Sequence, residues 1–273
     1  MIEKMKIGKK EFALKGHTYV MGILNVTPDS FSDGGNYNQI EKAINHAAQM
    51  IEEGADIIDV GGESTRPNYT QISEEEEIER VVPVIKALKE KFDIPVSIDT
   101  YKSKVAEAAI LAGADLVNDI WGLKYDKDMA GIVKKYDVAV CIMHNRDNQN
   151  YTGFRKDMLA DLQKCMEIAK KAGIPKEKII LDPGVGFGKT YEMNLKAIKY
   201  LEDLYCFDVP VLLGTSRKSV IGLTLDLPVT EREEGTIATT VLAVQKGCQF
   251  VRVHNVKGNV RAIRMAEAVL KAE

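Results

Sequence analysis

The sequence Lys-Ile-Ile-Leu-Asp-Pro-Gly-Val-Gly-Phe-Gly-Lys-Thr occupies residues 178–190 and joins a short apolar run to a glycine-rich segment. The apolar run has the length of a buried β-strand, and Asp182 stands at its end, directly before Pro183. We therefore predict that a strand delivers one carboxylate to a flexible loop that carries the aromatic ring of Phe187. The alternative is a strand-ending turn in which Asp182 caps a helix, and this stretch favours neither.

Residues 178–190 resemble two nucleotide-binding motifs but differ from each at one required position. A phosphate-binding P-loop needs a glycine five positions before Gly188, where the chain has Pro183. The dinucleotide-binding fingerprint needs a third glycine at the position that Lys189 occupies. The glycine-rich segment is therefore not predicted to bind a nucleotide.

The bulk composition excludes several classes of protein. A net charge of -3 and a pI near 5.9 argue against a large cationic surface for nucleic acid or an anionic membrane. Residues 1–12 lack the apolar core of a signal peptide, and no later apolar run has membrane-spanning length, so we expect a cytoplasmic protein. The four cysteines are far apart and lack zinc or redox spacing, which favours reduced thiols in the core or on helix faces.

Apolar runs of strand length alternate with segments of helical periodicity from residue 19 onward. The predicted strands span residues 19–26, 56–60, 95–99, 116–120, 138–144, 178–181, 209–214 and 250–254. The predicted helices span residues 39–53, 74–91, 102–112, 127–135, 156–172, 193–204, 231–246 and 259–271. Eight uninterrupted β-α units favour an α/β fold of the closed (β/α)8 TIM-barrel type over an open sheet. We expect a single domain over residues 1–273, with residues 1–18 as an N-terminal β-hairpin that plugs one end of the barrel.

Local signals support the predicted helix boundaries. Ser73 and Glu76 have the spacing of a capping box, and the acidic run at residues 74–77 suits the positive end of a helix dipole. We expect that run to be a solvated helix start and not a metal site. Glycines follow four of the predicted helices, as is typical of residues that end helices in the left-handed conformation: Gly54, Gly113, Gly173 and Gly247.

Polar residues recur at the carboxyl ends of the predicted strands, where a barrel places its active site. They are Asn25, residues 61–67, Asp99, Asn118, Asp119, His144, Asp182, residues 214–219, Arg252 and His254. Each has an ordinary structural alternative: Asp99 could cap the next helix, Asn118 could be a turn residue, and the histidines could be core imidazoles. Taken together these alternatives fail, because stability gives no reason for polar groups to gather at one end of so many strands.

The chemistry of this set suits a flat heterocycle and an anion. Carboxylates and a carboxamide from Asp99, Asp182 and Asn118 can accept ring N–H and amino groups, and Lys218 can donate to a ring carbonyl. Arg252 and His254 lie two residues apart and would share one face of a strand, where with Arg66 they could bind a diphosphate. The sequence has no recognisable nucleophile pattern for acyl transfer and no histidine spacing for zinc.

The chain closely resembles the dihydropteroate synthase family. The matching blocks cover nearly the whole chain in the order of the family: residues 21–35, 59–67, 97–100, 118–120, 143–144, 181–190, 214–219 and 252–254. The resemblance implies a transferase that condenses 6-hydroxymethyl-7,8-dihydropterin diphosphate with 4-aminobenzoate. The products would be 7,8-dihydropteroate and diphosphate, on the folate pathway.

The resemblance also implies roles for individual residues. The pterin would contact Asp99, Asn118, Ile120, Met143, Asp182, Phe187, Gly214, Lys218 and Arg252, and Arg252 would stack on its face. The diphosphate would contact Asn25, Arg66, Arg252 and His254, and Asn25 would help hold Mg²⁺, the expected cofactor. The 4-aminobenzoate would contact Phe31, Thr65, Pro67, Phe187, Lys218 and Ser219. The segment 145–152 resembles the family least and is assigned no contact.

The implied chemistry is the departure of diphosphate and attack by a weak aniline nucleophile. We expect a cation-like transition state, with Asp33, Asp99 and Lys218 as the catalytic residues and with Asp33 and Asp99 offsetting positive charge on the pterin methylene. The loops 27–36 and 64–70 would close to exclude water. The family is usually a homodimer through late barrel helices, and small residues at 236–243 permit close packing there. No nucleic-acid or membrane partner is expected.

Two other functions compete with this interpretation. A pterin-binding methyltransferase shares the barrel and the pterin-contacting Asp99, Asn118 and Asp182, but it would need neither residues 64–67 nor residues 216–219. A non-catalytic pterin or anion sensor is the alternative from another class. Diphosphate release that depends on 4-aminobenzoate would distinguish the synthase from both.

Overall fold

The computed structural model describes residues 2–26, 36–63 and 71–272, and of residues 36–38 the backbone alone. The strands are β1 (Lys4–Ile7), β2 (Lys10–Ala13), β3 (Tyr19–Asn25), β4 (Ile57–Gly61), β5 (Val96–Asp99), β6 (Leu116–Asp119), β7 (Ala139–Met143), β8 (Ile179–Asp182), β9 (Leu212–Leu213) and β10 (Phe250–Val253). The helices are α1 (Asn36–Glu52), α2 (Glu74–Lys91), α3 (Ser103–Leu111), α4 (Met129–Tyr136), α5 (Phe154–Ala172), α6 (Tyr191–Lys199), α7 (Ser219–Leu225), α8 (Glu233–Gln245) and α9 (Val256–Leu270).

Eight of the strands in the described part of the chain form one parallel sheet, in the order β8-β7-β6-β5-β4-β3-β10-β9. A parallel bridge between Leu181 and Val211 brings the two ends of that order together, so the sheet closes into a barrel. Helices follow the strands and surround them. The predicted (β/α)8 barrel is confirmed, and its strands all present their carboxyl ends at the same end of the barrel.

Several predicted boundaries are wrong in detail. The strand predicted at residues 209–214 is a two-residue strand, β9, because Pro210 has no N–H to donate to a ladder. The helix predicted at residues 193–204 is the α-helix α6 followed by a 3-10 helix, Leu201–Phe207. Helix α7 was not predicted as an element, since its seven residues are too few for a clear periodicity.

The N-terminal hairpin pairs β1 with β2 and covers the amino-terminal end of the barrel. Its buried side chains, Met5, Ile7, Phe12 and Leu14, form one apolar cluster with the first inward-facing residues of the barrel strands, among them Met21, Ile57 and Phe250. The Phe12 ring lies 4.8 Å from the Tyr19 ring and 5.6 Å from the Phe250 ring. The hairpin therefore closes one end with apolar side chains, as expected, and leaves the opposite end to polar ones.

The predicted helix-capping residues lie at helix ends in the structure, but the prediction for the acidic run at residues 74–77 needs a correction. Ser73 Oγ accepts a hydrogen bond of 3.1 Å from the backbone N–H of Glu76, and α2 has the predicted bounds. The four glycines predicted to end helices all have positive φ. The acidic run is not wholly solvated, however: Glu77 is 1% exposed, and its carboxylate lies 2.7 Å from Lys102 Nζ.

Replacing Phe12 with alanine should lower the free energy of unfolding by about 3–5 kcal/mol, because it leaves a cavity between the hairpin and the barrel. Urea denaturation would measure the loss. The control is Lys4→Ala on the same hairpin, whose ion pair with Glu11 is exposed and should contribute less than about 1 kcal/mol. Equal losses in the two variants would show that the hairpin does not plug the barrel.

Candidate active site

Six polar side chains meet at the carboxyl ends of the barrel strands, and we call them the strand-end cluster. Five of them lie on β4, β5, β6, β8 and β10, and one follows β9 at the start of α7: Asp59, Asp99, Asn118, Asp182, Arg252 and Lys218. Strand side chains alternate between the helices and the barrel interior, so a residue two before or after an inward-facing one also faces inward. The cluster is thus assembled from six separate β-α units.

Arg252 joins one side of the cluster. Its Nε lies 2.6 Å from Asp59 Oδ2, and one of its terminal nitrogens lies 2.6 Å from Asp99 Oδ2. Asn118 Nδ2 donates to the same Asp59 oxygen at 3.3 Å. Within the described residues, Oδ1 of Asp59 and Oδ1 of Asp99 are buried without a hydrogen-bond partner. Two buried carboxylates thus hold one guanidinium and keep acceptor capacity unused.

Asp182 and Lys218 form the other side of the cluster. A Cβ built on Gly214 would lie 3.6 Å from Asp182 Oδ2, 3.7 Å from Lys218 Nζ and 3.8 Å from Arg252 Cβ, so the three side chains surround this glycine. Lys218 Nζ donates to the Val185 carbonyl at 2.6 Å. The predicted gathering of carboxylates and an ammonium is therefore present around one point in space.

Apolar side chains form a wall beside these polar groups. Tyr101, Ile120 and Met143 make a buried cluster, against which Trp121 and Phe187 pack. The Phe187 ring lies 4.9 Å from Lys218 Nζ, which places a cation over an aromatic face. Three residues predicted as pterin walls, Ile120, Met143 and Phe187, thus lie together next to the strand-end cluster.

Three further predicted site residues, Asn25, His254 and Ser219, lie at the same end of the barrel. Asn25 ends β3, and a Cβ built on Gly61 would lie 3.6 Å from its Oδ1 and 3.7 Å from Asp99 Oδ2. His254 follows β10, and its Nδ1 lies 2.9 Å from Ser216 Oγ. Ser219 is exposed at the start of α7. Five predicted residues lie outside the described part of the chain: Phe31, Asp33, Thr65, Arg66 and Pro67.

Burial changes the ionisation of the cluster. It raises the pKa of Asp99 to about 7, although Arg252 opposes the rise, and it raises the pKa of Asp182 against the opposing charge of Lys218. It lowers the pKa of Lys218 to about 8, with Asp182 opposing. Burial also favours the neutral form of Arg252, but the carboxylates of Asp59 and Asp99 hold its pKa above the ordinary value. Two groups of the cluster therefore titrate near neutral pH, while Arg252 stays charged.

The structural alternatives for single residues are settled by their contacts. Asp99 does not cap α3, whose N-cap residue is Lys102 and whose first turn has no side-chain cap; the Asp99 carboxylate binds Arg252 instead. Asn118 lies on β6 and not in a turn. Asp182 serves the turn that follows its strand, since its Oδ1 accepts from Gly184 N–H at 2.6 Å, but it caps no helix, because Thr190 caps α6.

Three buried polar contacts were missed. Asp59 lies in the middle of an apolar strand, and its spacing of two from Gly61 was the available signal that it faces inward. Lys189 lies in the glycine-rich segment, and its Nζ is 2.8 Å from His144 Nδ1. Lys102 Nζ lies 2.8 Å from Glu63, in addition to its contact with Glu77. Partners so distant in sequence leave no local pattern.

No helix in residues 2–26, 36–63 and 71–272 combines the length and the apolar character that a membrane crossing requires. The same residues contain no group of three His, Cys, Asp or Glu side chains arranged to hold a metal ion. Cys141, Cys165 and Cys248 are buried free thiols, as predicted, and Cys206 is an exposed one on a 3-10 helix.

Comparison with known proteins identifies the class to which this site belongs. Residues 21–254 match the family described as pterin binding enzyme, a span that runs from β3 to the end of the strand-end cluster. The chain is therefore a barrel protein of the pterin-binding enzyme class.

Individual relatives narrow the class further. The dihydropteroate synthase of Clostridium beijerinckii is 63% identical over 268 residues, which are 98% of this chain and 100% of the relative. That of Bacillus subtilis is 52% identical over 94% of this chain and 90% of the relative. The structure of the Xanthomonas albilineans dihydropteroate synthase with 4-aminobenzoic acid superimposes with a TM-score of 0.94 at 38% identity and covers 100% of both chains.

The chain belongs to the dihydropteroate synthase family. It is a transferase of folate synthesis that joins 6-hydroxymethyl-7,8-dihydropterin diphosphate to 4-aminobenzoate and releases diphosphate. The function implied by the family resemblance is thereby confirmed, and the methyltransferase and the non-catalytic sensor are set aside.

Proposed function

We propose that the strand-end cluster binds the pterin ring. The observation that carries this proposal is the partly buried Arg252, held by the buried carboxylates of Asp59 and Asp99 at 2.6 Å from each, beside Asp182 and Lys218. Oδ1 of Asp99 is a buried acceptor that finds no partner among the described residues, and leaving it so costs free energy until a donor arrives. The N–H edge of a pterin supplies such donors.

The individual roles follow from the donors and acceptors on each side chain. Asp99, Asn118 and Asp182 accept ring N–H and amino groups or, in the case of the amide, also donate to a ring nitrogen, and Lys218 donates to the ring carbonyl. The ring lies between Arg252 on one face and the wall of Ile120, Met143 and Phe187, and Gly214 leaves room for its edge. Every part of a flat bicycle then meets a group of matching polarity.

The diphosphate binds beside the pterin methylene. Arg252 and His254, with Arg66 from outside the described residues, neutralise its charge. Asn25 offers the kind of hard oxygen that Mg²⁺ prefers, and this ion commonly takes only one or two protein ligands and completes its shell with water and phosphate oxygens. When bound there, Mg²⁺ would supply further positive charge to the leaving group.

The 4-aminobenzoate lies across the opening of the site. Phe187 and Lys218 contact it from the described part of the chain, with Phe31, Thr65 and Pro67 from the two segments outside it. Its carboxylate lies near Ser219, where the backbone N–H groups that start α7 attract an anion. Support comes from the related Xanthomonas albilineans enzyme, whose structure was solved with 4-aminobenzoic acid.

Catalysis in this arrangement is the electrostatic stabilisation of the charges that develop as the diphosphate leaves. As the C–O bond to diphosphate breaks, positive charge grows on the pterin methylene, and the carboxylates of Asp99 and Asp33 offset it. Arg252, His254 and Arg66 stabilise the leaving diphosphate at the same moment. The aniline nitrogen then forms a C–N bond to the methylene and gives up one proton to the released diphosphate. The segments 27–36 and 64–70, of which only Asn36 lies within the described residues, would exclude water that could otherwise capture the cation.

The chain acts as a single pterin-binding domain that forms a cytoplasmic homodimer. The hairpin within residues 1–18 supports one domain, since its apolar face packs into the barrel and not against a separate core.

Large apolar side chains exposed on late helices support self-association: Leu223, Leu242, Met265 and Val269. The net charge of -3 supports small-molecule substrates over nucleic acid.

Replacing Asp182 with alanine should raise the dissociation constant for pterin diphosphate by at least about 100-fold, because it removes the buried carboxylate that accepts the ring N–H and amino groups. Isothermal titration calorimetry without 4-aminobenzoate would measure the change. The contrasting variant is Pro67→Ala, which should mainly raise the KM for 4-aminobenzoate. An unchanged pterin affinity in Asp182→Ala would show that the ring binds elsewhere.

The dependence of kcat/KM for pterin diphosphate on pH should be bell-shaped. Asp99, with a pKa of about 7, must be ionised to offset the cation, so activity falls as pH drops below 7. Lys218, with a pKa of about 8, must be protonated to donate, so activity falls as pH rises above 8. Lys218→Arg should lower the maximum and remove the alkaline limb; an alkaline limb that persists in this variant would exclude Lys218 as its source.

A further inference from the structure

Lys189 places a buried amino group next to the strand-end cluster without belonging to it. Burial lowers the pKa of Lys189 to about 7, and the charge of Asp182 opposes the shift. It lies in the segment between β8 and α6, and its side chain is 5% exposed. Its Nζ lies 2.8 Å from His144 Nδ1, 2.8 Å from the Gly184 carbonyl and 2.9 Å from the Phe187 carbonyl, with a longer contact of 3.4 Å to the His144 carbonyl. An ammonium has three N–H donors, and the three short contacts supply an acceptor for each.

The imidazole of His144 is set to accept from this ammonium. Its Nε2 lies 3.4 Å from Asp161 Oδ2, so the ring proton belongs on Nε2 and the lone pair of Nδ1 faces Lys189. Burial and the positive charge of Lys189 lower the pKa of His144 to about 3, which keeps the imidazole neutral. Asp161 is itself held by an ion pair with Arg146. The donor and the acceptor are therefore fixed in each contact that links Arg146 to Lys189 through Asp161 and His144.

The segment 145–152, to which the family resemblance assigns no contact, supports the same loop from outside. Tyr151 Oη donates to the Gly188 carbonyl at 2.9 Å, and Gln149 Nε2 donates to the Lys189 carbonyl at 3.2 Å. Gly184 has a φ of +67°, and a Cβ on it would lie 1.9 Å from the His144 carbonyl oxygen. The loop is thus held tightly against the end of β7 by contacts on two sides.

This loop carries two groups that contact Lys218. The Val185 carbonyl accepts from Lys218 Nζ at 2.6 Å, and the Phe187 ring lies 4.9 Å from the same nitrogen. The two carbonyls that bind Lys189, those of Gly184 and Phe187, flank Val185 and Gly186 in the chain. A displacement of the Lys189 ammonium would therefore move the acceptor that orients Lys218.

We propose that Lys189 is a positioning residue for the pterin site. Its ammonium, oriented by the hydrogen bond to His144 Nδ1, holds the Gly184–Phe187 loop in the conformation that orients Lys218 and Phe187 toward the ring. Lys189 does not touch the substrate. The inference rests on the proposed function, because it assumes that Lys218 and Phe187 contact the pterin. It gives the segment 145–152 a role as the outer support of the binding loop.

The test compares Lys189→Met with the parent full-length chain. Methionine keeps a long apolar side chain but has no N–H donor, so the loop should lose its internal anchor. We expect the dissociation constant for pterin diphosphate, measured by calorimetry without 4-aminobenzoate, to rise roughly 10-fold to 100-fold. The KM for 4-aminobenzoate should rise as well, because Phe187 and Lys218, which the loop orients, also contact that substrate.

The matched control is Lys178→Met. Lys178 also donates to a backbone carbonyl, that of Asp137 at 2.7 Å, but at the amino-terminal end of the barrel. Both variants should lower the melting temperature, and only Lys189→Met should weaken pterin binding. A folded Lys189→Met protein with the parent dissociation constant would overturn the inference.

A second pair of variants decides the question if Lys189→Met does not fold. His144→Asn keeps an acceptor near the position of Nδ1, whereas His144→Leu removes it, so pterin affinity should be at least about tenfold weaker in the leucine variant. Equal affinities would refute the role of the Lys189–His144 contact. Failure of the proposed function is distinguishable, since a parent chain that releases no diphosphate from the two substrates would refute that function whatever the variants do.

Discussion

The ion pairs of Arg252 with Asp59 and Asp99 are the interaction on which the site depends. They cross the barrel interior from β10 to β4 and β5 and join residues that are 193 and 153 positions apart in the chain. Three charges so placed are costly to bury unless each is matched, and removing one partner of such a set typically costs about 3–5 kcal/mol. Arg252 is therefore held in one orientation before any substrate arrives, and its charge faces the position proposed for the leaving group.

The barrel divides its two ends between stability and chemistry. At the amino-terminal end, Phe12 and the other hairpin residues fill the interior with apolar side chains, so that end needs no polar partners. At the carboxyl end the interior is filled by charged and amide groups, some of which have unused acceptor atoms among the described residues. Apolar packing at the amino-terminal end stabilises the fold, so the protein tolerates buried oxygens without hydrogen-bond partners at the carboxyl end. Those oxygens are free to accept hydrogen bonds from a ligand.

The sequence predicted the architecture well because alternating apolar runs and helical periodicity are local signals. It predicted the bounds of α2 without error, since a capping serine and an acidic first turn mark its start. Asp99, Asn118, Asp182, Lys218 and Arg252 were all foreseen at strand ends, and the structure brings them together. The contacts that orient them were not foreseen: Asp59 under Arg252, and Lys189 beside His144, are pairings between distant segments that no spacing along the chain reveals. Glu77 was misassigned for the same reason, because its partner Lys102 lies on another unit.

The most direct test of the central claim is a crystal structure of the chain with 6-hydroxymethyl-7,8-dihydropterin diphosphate. The account predicts electron density for the ring against Arg252, with its N–H edge within hydrogen-bond distance of Asp99 and Asp182, its carbonyl at Lys218 and its diphosphate at His254. Density for the ring at any site not lined by Arg252, Asp99, Asp182 and Lys218 would contradict it.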